Sequence, residues 1–136
     1  MADRYNFEDE PRQLRAIVVD DSGVIKTQLV RIIQQSGCVV AALASNGAEA
    51  VEMYKKHLPD FVTMDIEMPG INGLDALKSI IEHDKGAVVI MVTSVANKAN
   101  VIESIKGGAK NYIIKPFTPE TVKQAISRCF AGVELK

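Results

Sequence analysis

The fold follows from one stretch of the chain, FVTMDIEMPGING, which occupies residues 61–73. Its first part is a short apolar run that carries one aspartate, Asp65, at its carboxyl end. Its second part contains Pro69, Gly70 and Gly73, and an apolar run that meets such turn residues predicts a buried strand ending at a loop. In an open parallel sheet, ligands bind just beyond the carboxyl ends of the strands. Asp65 is therefore a candidate nucleophile, although an aspartate that only caps a turn would suit the same position.

The segments on both sides of this stretch alternate between apolar runs and amphipathic helical segments. The runs that predict strands cover residues 14–19, 38–44, 61–65, 87–92 and 111–114. Apolar residues at helical spacing follow each run, and in the second helical segment they are Val51, Tyr54 and Leu58. Buried strands separated by amphipathic helices predict an α/β fold with a doubly wound parallel sheet. The flavodoxin-like (βα)5 strand order 2-1-3-4-5 suits this length and places strands one and three side by side.

Length and composition predict a single domain. The chain has 136 residues, of which 47% are hydrophobic and 24% charged, as in ordinary globular domains. Residues 1–13 are polar and predict a mobile tail, residues 14–131 form the expected domain, and residues 132–136 form a short C-terminal tail. The N-terminus lacks the pattern of an export signal, and no apolar run approaches the roughly 20 residues of a membrane helix. We therefore expect a cytoplasmic protein with no membrane contact.

Charge and residue usage argue against several other classes of protein. The formal net charge is −1 and there is no Trp, so nothing predicts the basic, aromatic surface of a nucleic-acid-binding protein. Cys38 and Cys129 lie in apolar segments without metal-binding spacing and are predicted to be buried thiols. His57 and His83 lie in polar segments and are predicted to be surface residues.

A polar residue follows each of four predicted strands. Asp20 and Asp21 follow the first strand, Asp65 ends the third, Thr93 follows the fourth, and Lys115 follows the fifth. Each residue on its own suits a helix cap, a strand end or a turn. The predicted strand order, however, brings the three carboxylates and the lysine to one cleft at the carboxyl edge of the sheet.

Such a cluster is suited to phosphoryl transfer. Three carboxylates that lie close together repel one another, and a hard divalent cation removes that cost. Mg²⁺ prefers oxygen ligands and typically uses one or two carboxylates together with a phosphate. Lys115 adds a positive charge for a phosphoryl oxygen, and Thr93 adds a hydroxyl donor. Together these groups predict transfer of a phosphoryl group onto a carboxylate.

Four motifs in this order resemble the receiver domain of two-component response regulators. They are VVDDS at residues 18–22, DIEMPGING at 65–73, VTS at 92–94 and KPF at 115–117. The resemblance covers about residues 14–131. It implies that Asp65 accepts a phosphoryl group from a phosphohistidine on a sensor histidine kinase.

The resemblance also implies a metal site. Mg²⁺, or Mn²⁺ in its place, would be held by Asp21, Asp65 and the backbone carbonyl of Glu67, with Asp20 acting through water. By the same comparison, the residue two positions after Asp65, which is Glu67, and the residue two positions after the threonine, which is Val95, set the lifetime of the phosphoryl group.

The remaining family roles concern phosphoryl binding and switching. Thr93 and Lys115 would bind the phosphoryl group, the Lys115–Pro116 peptide bond would be cis, and Tyr112 would be the switch aromatic. Phosphorylation would draw the Thr93 hydroxyl inward, and the Tyr112 ring would rotate into the space that it vacates.

The resemblance is strongest to single-domain, chemotaxis-type regulators. Such proteins act as monomers and bind a downstream protein, such as the flagellar switch, through the fourth helix, fifth strand and fifth helix, and a phosphatase is a further expected partner. The fourth helical segment, residues 98–106, has the thinnest apolar face, formed by Val101, Ile102 and Ile105, as suits an element that moves. A single-domain phosphorelay intermediate outside chemotaxis is the alternative.

Three rival functions fit the sequence less well. In an aspartate-nucleophile phosphatase of the haloacid-dehalogenase type, the nucleophile follows the first strand, whereas here the acidic pair comes first. A flavodoxin-like FMN carrier needs a Ser/Thr/Gly-rich phosphate loop where this chain has Asp20 and Asp21. A receiver that works without phosphorylation usually lacks the residue that corresponds to Asp65, to Lys115 or to the acidic pair, whereas this chain keeps them all. The protein is thus expected to catalyse its own phosphorylation and dephosphorylation rather than many turnovers on an external substrate.

Overall fold

A computed structural model describes residues 13–94 and 98–136 of the chain. The predicted N-terminal tail, apart from Gln13, and Val95 both lie outside these described residues. Strands and helices alternate along the described chain, as predicted. They are β1 (Arg15–Val19), α1 (Gly23–Gln35), β2 (Val39–Ala44), α2 (Gly47–His57), β3 (Phe61–Asp65), α3 (Gly73–His83), β4 (Val89–Ser94), α4 (Lys98–Lys106), β5 (Asn111–Lys115) and α5 (Pro119–Ser127).

The strands form one parallel sheet in the order β2-β1-β3-β4-β5, which confirms the predicted order 2-1-3-4-5. Within this sheet Val19 pairs with Met64, Asp65 with Val92, and Val92 with Ile113. Strands β1, β3, β4 and β5 therefore end at nearly the same level. The residues at their carboxyl ends form one edge of the sheet.

Helices cover both faces of the sheet and bury two apolar cores. Leu29 and Ile33 of α1 and Val122 and Ile126 of α5 pack on one face. On the other face, α2 and α3 contribute side chains such as Tyr54, Leu77 and Ile80. Because both faces are covered, the central strand β3 is buried along its whole length, and the sheet is a rigid support for its carboxyl edge.

Local capping residues set the starts of the helices. The side chains of Ser22, Asn46, Asn72 and Thr118 accept hydrogen bonds from backbone N–H groups in the first turns of α1, α2, α3 and α5. These four residues thus satisfy backbone donors at the starts of their helices.

The predicted inward position of Leu58 was wrong. Leu58 is exposed and adopts φ 44°, a left-handed conformation that ends α2. Pro59 follows it, and the residue before a proline is disfavoured in the right-handed helical region. The helix therefore stops one residue before Leu58, and its buried face is formed by Ala50 and Tyr54.

The apolar residues of α4 do not form its packed face. Ile102 and Ile105 are exposed, Val101 is half-buried, and the buried residue of this helix is Ser104. The Ser104 hydroxyl donates to the Asn100 carbonyl, so it needs no partner on the sheet. A small residue faces the sheet, and the larger apolar ones face outward.

The C-terminal residues pack against the α1 side of the domain. Val133 and Leu135 are partly buried against the core between α1 and α5, and the Lys136 N–H donates to the Ser36 carbonyl. Cys38 and Cys129 are free thiols, buried and half-buried, and burial raises the pKa of each above its ordinary value. No helix among the described residues has the length and apolar character that crossing a bilayer requires.

Candidate functional site

Three carboxylates and one lysine meet at the carboxyl edge of the sheet. The carboxylate oxygens of Asp20, Asp21 and Asp65 lie within 4.8 Å of one another. Lys115 Nζ lies 3.2 Å from Asp20 Oδ2 and 3.3 Å from Asp65 Oδ1. The convergence that the strand order predicted for these four residues is confirmed.

Asp20 is held in place by the turn that joins β1 to α1. Its backbone N–H donates to the Ala44 carbonyl, and its Oδ1 accepts a hydrogen bond of 2.9 Å from the Ser22 N–H. The residue is fully buried. Its other oxygen, Oδ2, forms the ion pair with Lys115 but receives no bond with hydrogen-bonding geometry from the described residues. One buried lone pair is therefore left for a further partner.

Asp65 is the last residue of β3 and is only 5% exposed. Burial, followed by the negative charge of Asp20, raises the pKa of Asp65 to about 6, while Lys115 opposes the shift and Asp21 adds a smaller upward contribution. Without a cation, this carboxyl is therefore partly protonated just below neutral pH. An added positive charge would favour the ionised, nucleophilic form.

Lys115 ends β5 and precedes a cis peptide bond to Pro116, which confirms the expected isomer. Burial alone would lower the pKa of Lys115, but the Asp65 and Asp20 carboxylates more than offset this effect and raise it. The ammonium group is therefore charged at neutral pH. It has a fixed position between two carboxylates of adjacent strands.

The carboxylate cluster fits a hard divalent cation. Asp20, Asp21 and Asp65 present oxygen ligands from one small region, and among the described residues Lys115 supplies an ammonium group to two of these carboxylates. Asp21 is exposed, so the cluster is open to solvent on that side. Oxygen donors, excess negative charge and an open side are what Mg²⁺ or Mn²⁺ requires of a partial protein site.

Thr93 lies on the strand next to Asp65. Val92 pairs with Asp65 in the register of the sheet, so Thr93 is one residue beyond that level. Its side chain is almost fully buried, and its Oγ1 has no hydrogen-bond partner among the described residues. A buried hydroxyl without a partner is costly, and it would gain a hydrogen bond from an acceptor that arrives at this edge.

Tyr112 lies outside the carboxylate cluster. It is 41% exposed on β5, two residues before Ile114, and Ile114 pairs with Thr93. Residues two apart on a strand share a face, so Tyr112, Ile114 and Thr93 lie on the same side of the sheet. Tyr112 also lines a groove of 440 Å³ together with Lys98, Val101, Ile102 and Ile114.

The loop after Asp65 is fixed at both ends. The Ile66 N–H donates to the Val92 carbonyl, and the Gly73 N–H donates to the Ile66 carbonyl at 2.8 Å. A Cβ atom at Gly73 would lie 2.1 Å from the Asp65 carbonyl oxygen, so only glycine fits there. Glu67 is exposed within this loop. The loop also lies directly against Gly47, the first residue of α2.

Comparison with known proteins agrees with this geometry. Residues 16–127 match the response regulator receiver domain family. The chemotaxis protein CheY of Thermotoga maritima is 46% identical and that of Bacillus subtilis 43% identical, each over 84% of this chain and 95% of the relative. A crystal structure of the CheX–CheY–BeF3–Mg²⁺ complex from Borrelia burgdorferi has a TM-score of 0.80 and 36% identity, over 83% of this chain and 86% of that one. The chain belongs to the response regulator receiver domain family.

Proposed function

We propose that this protein is a cytoplasmic response regulator that accepts a phosphoryl group on Asp65 from the phosphohistidine of a sensor histidine kinase. One observation carries the proposal: a nearly buried carboxylate at the end of the central strand lies 3.3 Å from a lysine ammonium and beside two further carboxylates. The receiver comprises residues 14–131, and the family match over 16–127 supports these limits.

Mg²⁺, or Mn²⁺ in its place, is the cation of the proposed site. Asp21, Asp65 and the Glu67 backbone carbonyl would hold it, and Asp20 would act through water. When bound, the cation would neutralise the carboxylate cluster, so that an anionic phosphodonor could approach. Support comes from the three clustered carboxylates and from the buried Asp20 Oδ2, which has no hydrogen-bond partner among the residues that the structure describes.

The proposed reaction forms one bond and breaks one. An Asp65 carboxylate oxygen attacks phosphorus, an O–P bond forms, and the P–N bond to the donor imidazole breaks, with its electron pair staying on nitrogen. Lys115 offers its ammonium to a phosphoryl oxygen, and Thr93 donates its unpaired hydroxyl to another. The product is an acyl phosphate on Asp65.

The proposed output is altered binding of a protein partner. The relatives from Thermotoga and Bacillus are chemotaxis proteins, and the Borrelia relative forms a complex with CheX. We propose chemotaxis as the process here, with the flagellar switch as target and a phosphatase as a further partner. The binding surface comprises α4, β5 and α5, where the exposed Ile102, Ile105 and Tyr112 lie near the 440 Å³ groove.

The test uses phosphoramidate, whose P–N bond resembles that of phosphohistidine. The intact mass of the parent and of Asp65→Asn is measured after incubation with phosphoramidate, with Mg²⁺ or with chelator. We expect the parent to gain one phosphoryl group per chain with Mg²⁺ and Asp65→Asn to gain none. Rapid, repeated release of phosphate from a simple monoester would instead favour an aspartate-nucleophile phosphatase.

A further inference from the structure

The backbone of the loop after Asp65 packs directly on Gly47, the first residue of α2. A Cβ atom built on Gly47 would lie 2.4 Å from the Ile71 carbonyl oxygen, 2.8 Å from Ile71 Cγ2 and 3.0 Å from the Ile71 carbonyl carbon. Two of these three neighbours are backbone atoms, which cannot turn aside as the end of a long side chain can. Any side chain at position 47 must therefore displace either α2 or the loop.

The start of α2 is the fixed partner in this contact. Asn46 caps the helix by accepting from the Glu49 N–H, and the Glu49 carboxylate accepts from the Ser45 N–H and from the Asn46 amide. Gly47 itself is buried, and one helical turn later Ala50 is packed in the core. These bonds make the helix start a rigid unit, so moving it would disturb the core packing of Ala50.

The loop is the partner that can move. Ile66 is held by hydrogen bonds to Val92 and Gly73, and Met68 is packed in the core, but the stretch from Pro69 to Asn72, which includes Ile71, is exposed. A side chain at position 47 would therefore shift the loop between its anchored ends, residues 67–72, rather than α2. The loop includes Glu67, whose backbone carbonyl is a ligand in the proposed metal site.

We propose that Gly47 is a positioning residue for this metal site, because its lack of a side chain sets the position of the loop that carries the Glu67 carbonyl. The inference rests on the proposed function and extends it to a residue of α2 that is not itself one of the proposed metal ligands. Gly47 acts through the loop and does not itself contact the metal or the phosphoryl group.

The chain offers a matched control. Gly23 is the first residue of α1, as Gly47 is of α2, and neither glycine has a positive φ. A Cβ atom at Gly23 would meet nothing within 4 Å. Gly23→Ala therefore reports the effect of alanine at the start of a helix at this edge, and Gly47→Ala adds the contact with the loop.

The experiment titrates MgCl2 into metal-free parent, Gly47→Ala and Gly23→Ala, followed by amide NMR at a temperature where thermal melts show each protein folded. We expect Gly47→Ala to weaken Mg²⁺ binding by roughly tenfold, as for other residues that orient metal ligands. Gly23→Ala should stay within about twofold of the parent. In the metal-free proteins, Gly47→Ala should also shift the amides of residues 66–73 and speed hydrogen exchange at the Gly73 N–H. A general loss of stability would not confine the change to these residues.

A second variant tests the role of Gly47 by changing the loop instead of the helix. Ile71→Ala leaves α2 intact but removes the Cγ2 contact with Gly47, and the exposed position tolerates the change. We expect a smaller weakening of Mg²⁺ binding, by roughly threefold. If Gly47→Ala does not fold, this variant alone tests the inference.

The outcomes separate the two proposals. If the parent binds no Mg²⁺, the proposed metal site is wrong and the role of Gly47 falls with it. If the parent binds Mg²⁺ but Gly47→Ala behaves like Gly23→Ala, or Ile71→Ala binds as the parent does, only the role of Gly47 is overturned.

Discussion

Lys115 Nζ lies 3.3 Å from Asp65 Oδ1 and contacts Asp20 at nearly the same distance, so one ammonium group neutralises part of the charge of two buried carboxylates. Asp21 adds a third carboxylate, within 4.8 Å of the other two. The metal-free site therefore holds excess negative charge beside Asp65. Burial, followed by the negative charge of Asp20, raises the pKa of Asp65, and the excess negative charge favours binding of a cation.

The first prediction concerns the stability of the metal-free protein as a function of pH. The pKa of Asp65 is about 6 in the folded protein and 3.8 in the reference state. Because the folded value is the higher one, the stability contributed by protonated Asp65 is present below about pH 4 and is lost as the pH rises through 6. With chelator present, Asp65→Asn and the parent should therefore have the same free energy of unfolding near pH 4. At pH 7 the variant should be more stable than the parent by roughly 2–3 kcal/mol.

Urea denaturation across this pH range measures the difference in free energy of unfolding. Glu82→Gln, at an exposed position on α3, is the control, and its difference from the parent in free energy of unfolding should not rise between pH 4 and pH 7 in this way. A constant difference between Asp65→Asn and the parent from pH 4 to pH 7 would show that Asp65 ionisation is not unfavourable in the fold.

The second prediction concerns the metal. Asp21 is exposed, whereas its two neighbours in the cluster are buried, so Asp21→Ala should fold normally. We expect it to bind Mg²⁺ at least about tenfold more weakly than the parent and to be phosphorylated more slowly at low Mg²⁺. Isothermal calorimetry gives the affinity and intact mass gives the labelling. Undiminished labelling of Asp21→Ala in the presence of chelator would falsify the metal requirement.

The third prediction separates phosphorylation from signalling. In Thr93→Ala, Asp65 and Lys115 remain, so the variant should still be phosphorylated. It lacks the hydroxyl that would move toward the phosphoryl group, and a phosphoryl group can shift the two states only through differential contacts. Beryllofluoride with Mg²⁺ should therefore shift the amides of α4 strongly in the parent and weakly in Thr93→Ala. Tyr112→Ala should likewise be phosphorylated without gaining affinity for a partner.

Partner affinity with and without beryllofluoride is the second measurement for this coupling. Thr63→Ala is a useful control, because Thr63 is another buried threonine, on β3, whose hydroxyl also has no partner among the described residues. If Thr93→Ala gains as much affinity as the parent does, the coupling of Thr93 to Tyr112 is not the switch.

The fourth prediction concerns the lifetime of the phosphoryl group. Glu67 is exposed in the loop beside Asp65, where its carboxylate can position an attacking water or hinder it. Val95 lies outside the described residues. The double variant Glu67→Asn, Val95→Glu should change the dephosphorylation rate more than about tenfold, which corresponds to about 1.4 kcal/mol in the barrier. The decay of the acyl phosphate, followed by intact mass, measures the rate. Decay at the parent rate would exclude these two positions as determinants of lifetime.

The sheet and the carboxylate cluster were predictable because they follow from regular patterns. Buried apolar runs alternate with amphipathic helices, and a parallel sheet then aligns the strand ends that carry Asp20, Asp65 and Lys115. Predicting the strand order and the convergence of these charged residues required no detail of side-chain packing.

The errors and omissions have a different physical origin. Leu58 matched the helical spacing of α2, but Pro59 ended the helix before it. Ile102 and Ile105 matched a packed face on α4, yet the small Ser104 packs inward. The contact between Gly47 and Ile71 joins segments far apart in sequence, and no local pattern reports how closely two backbones approach. Such contacts depend on tertiary packing rather than on residue spacing.

We propose that Asp65, and neither of the neighbouring carboxylates, carries the phosphoryl group. Borohydride reduces an acyl phosphate to an alcohol, so treatment of the phosphorylated protein followed by peptide mass mapping marks the modified residue permanently. We expect that position 65 alone becomes homoserine, that the mark requires Mg²⁺, and that Asp20 and Asp21 stay unmodified. A mark on Asp20 or Asp21, or an equal mark in Asp65→Asn, would contradict it.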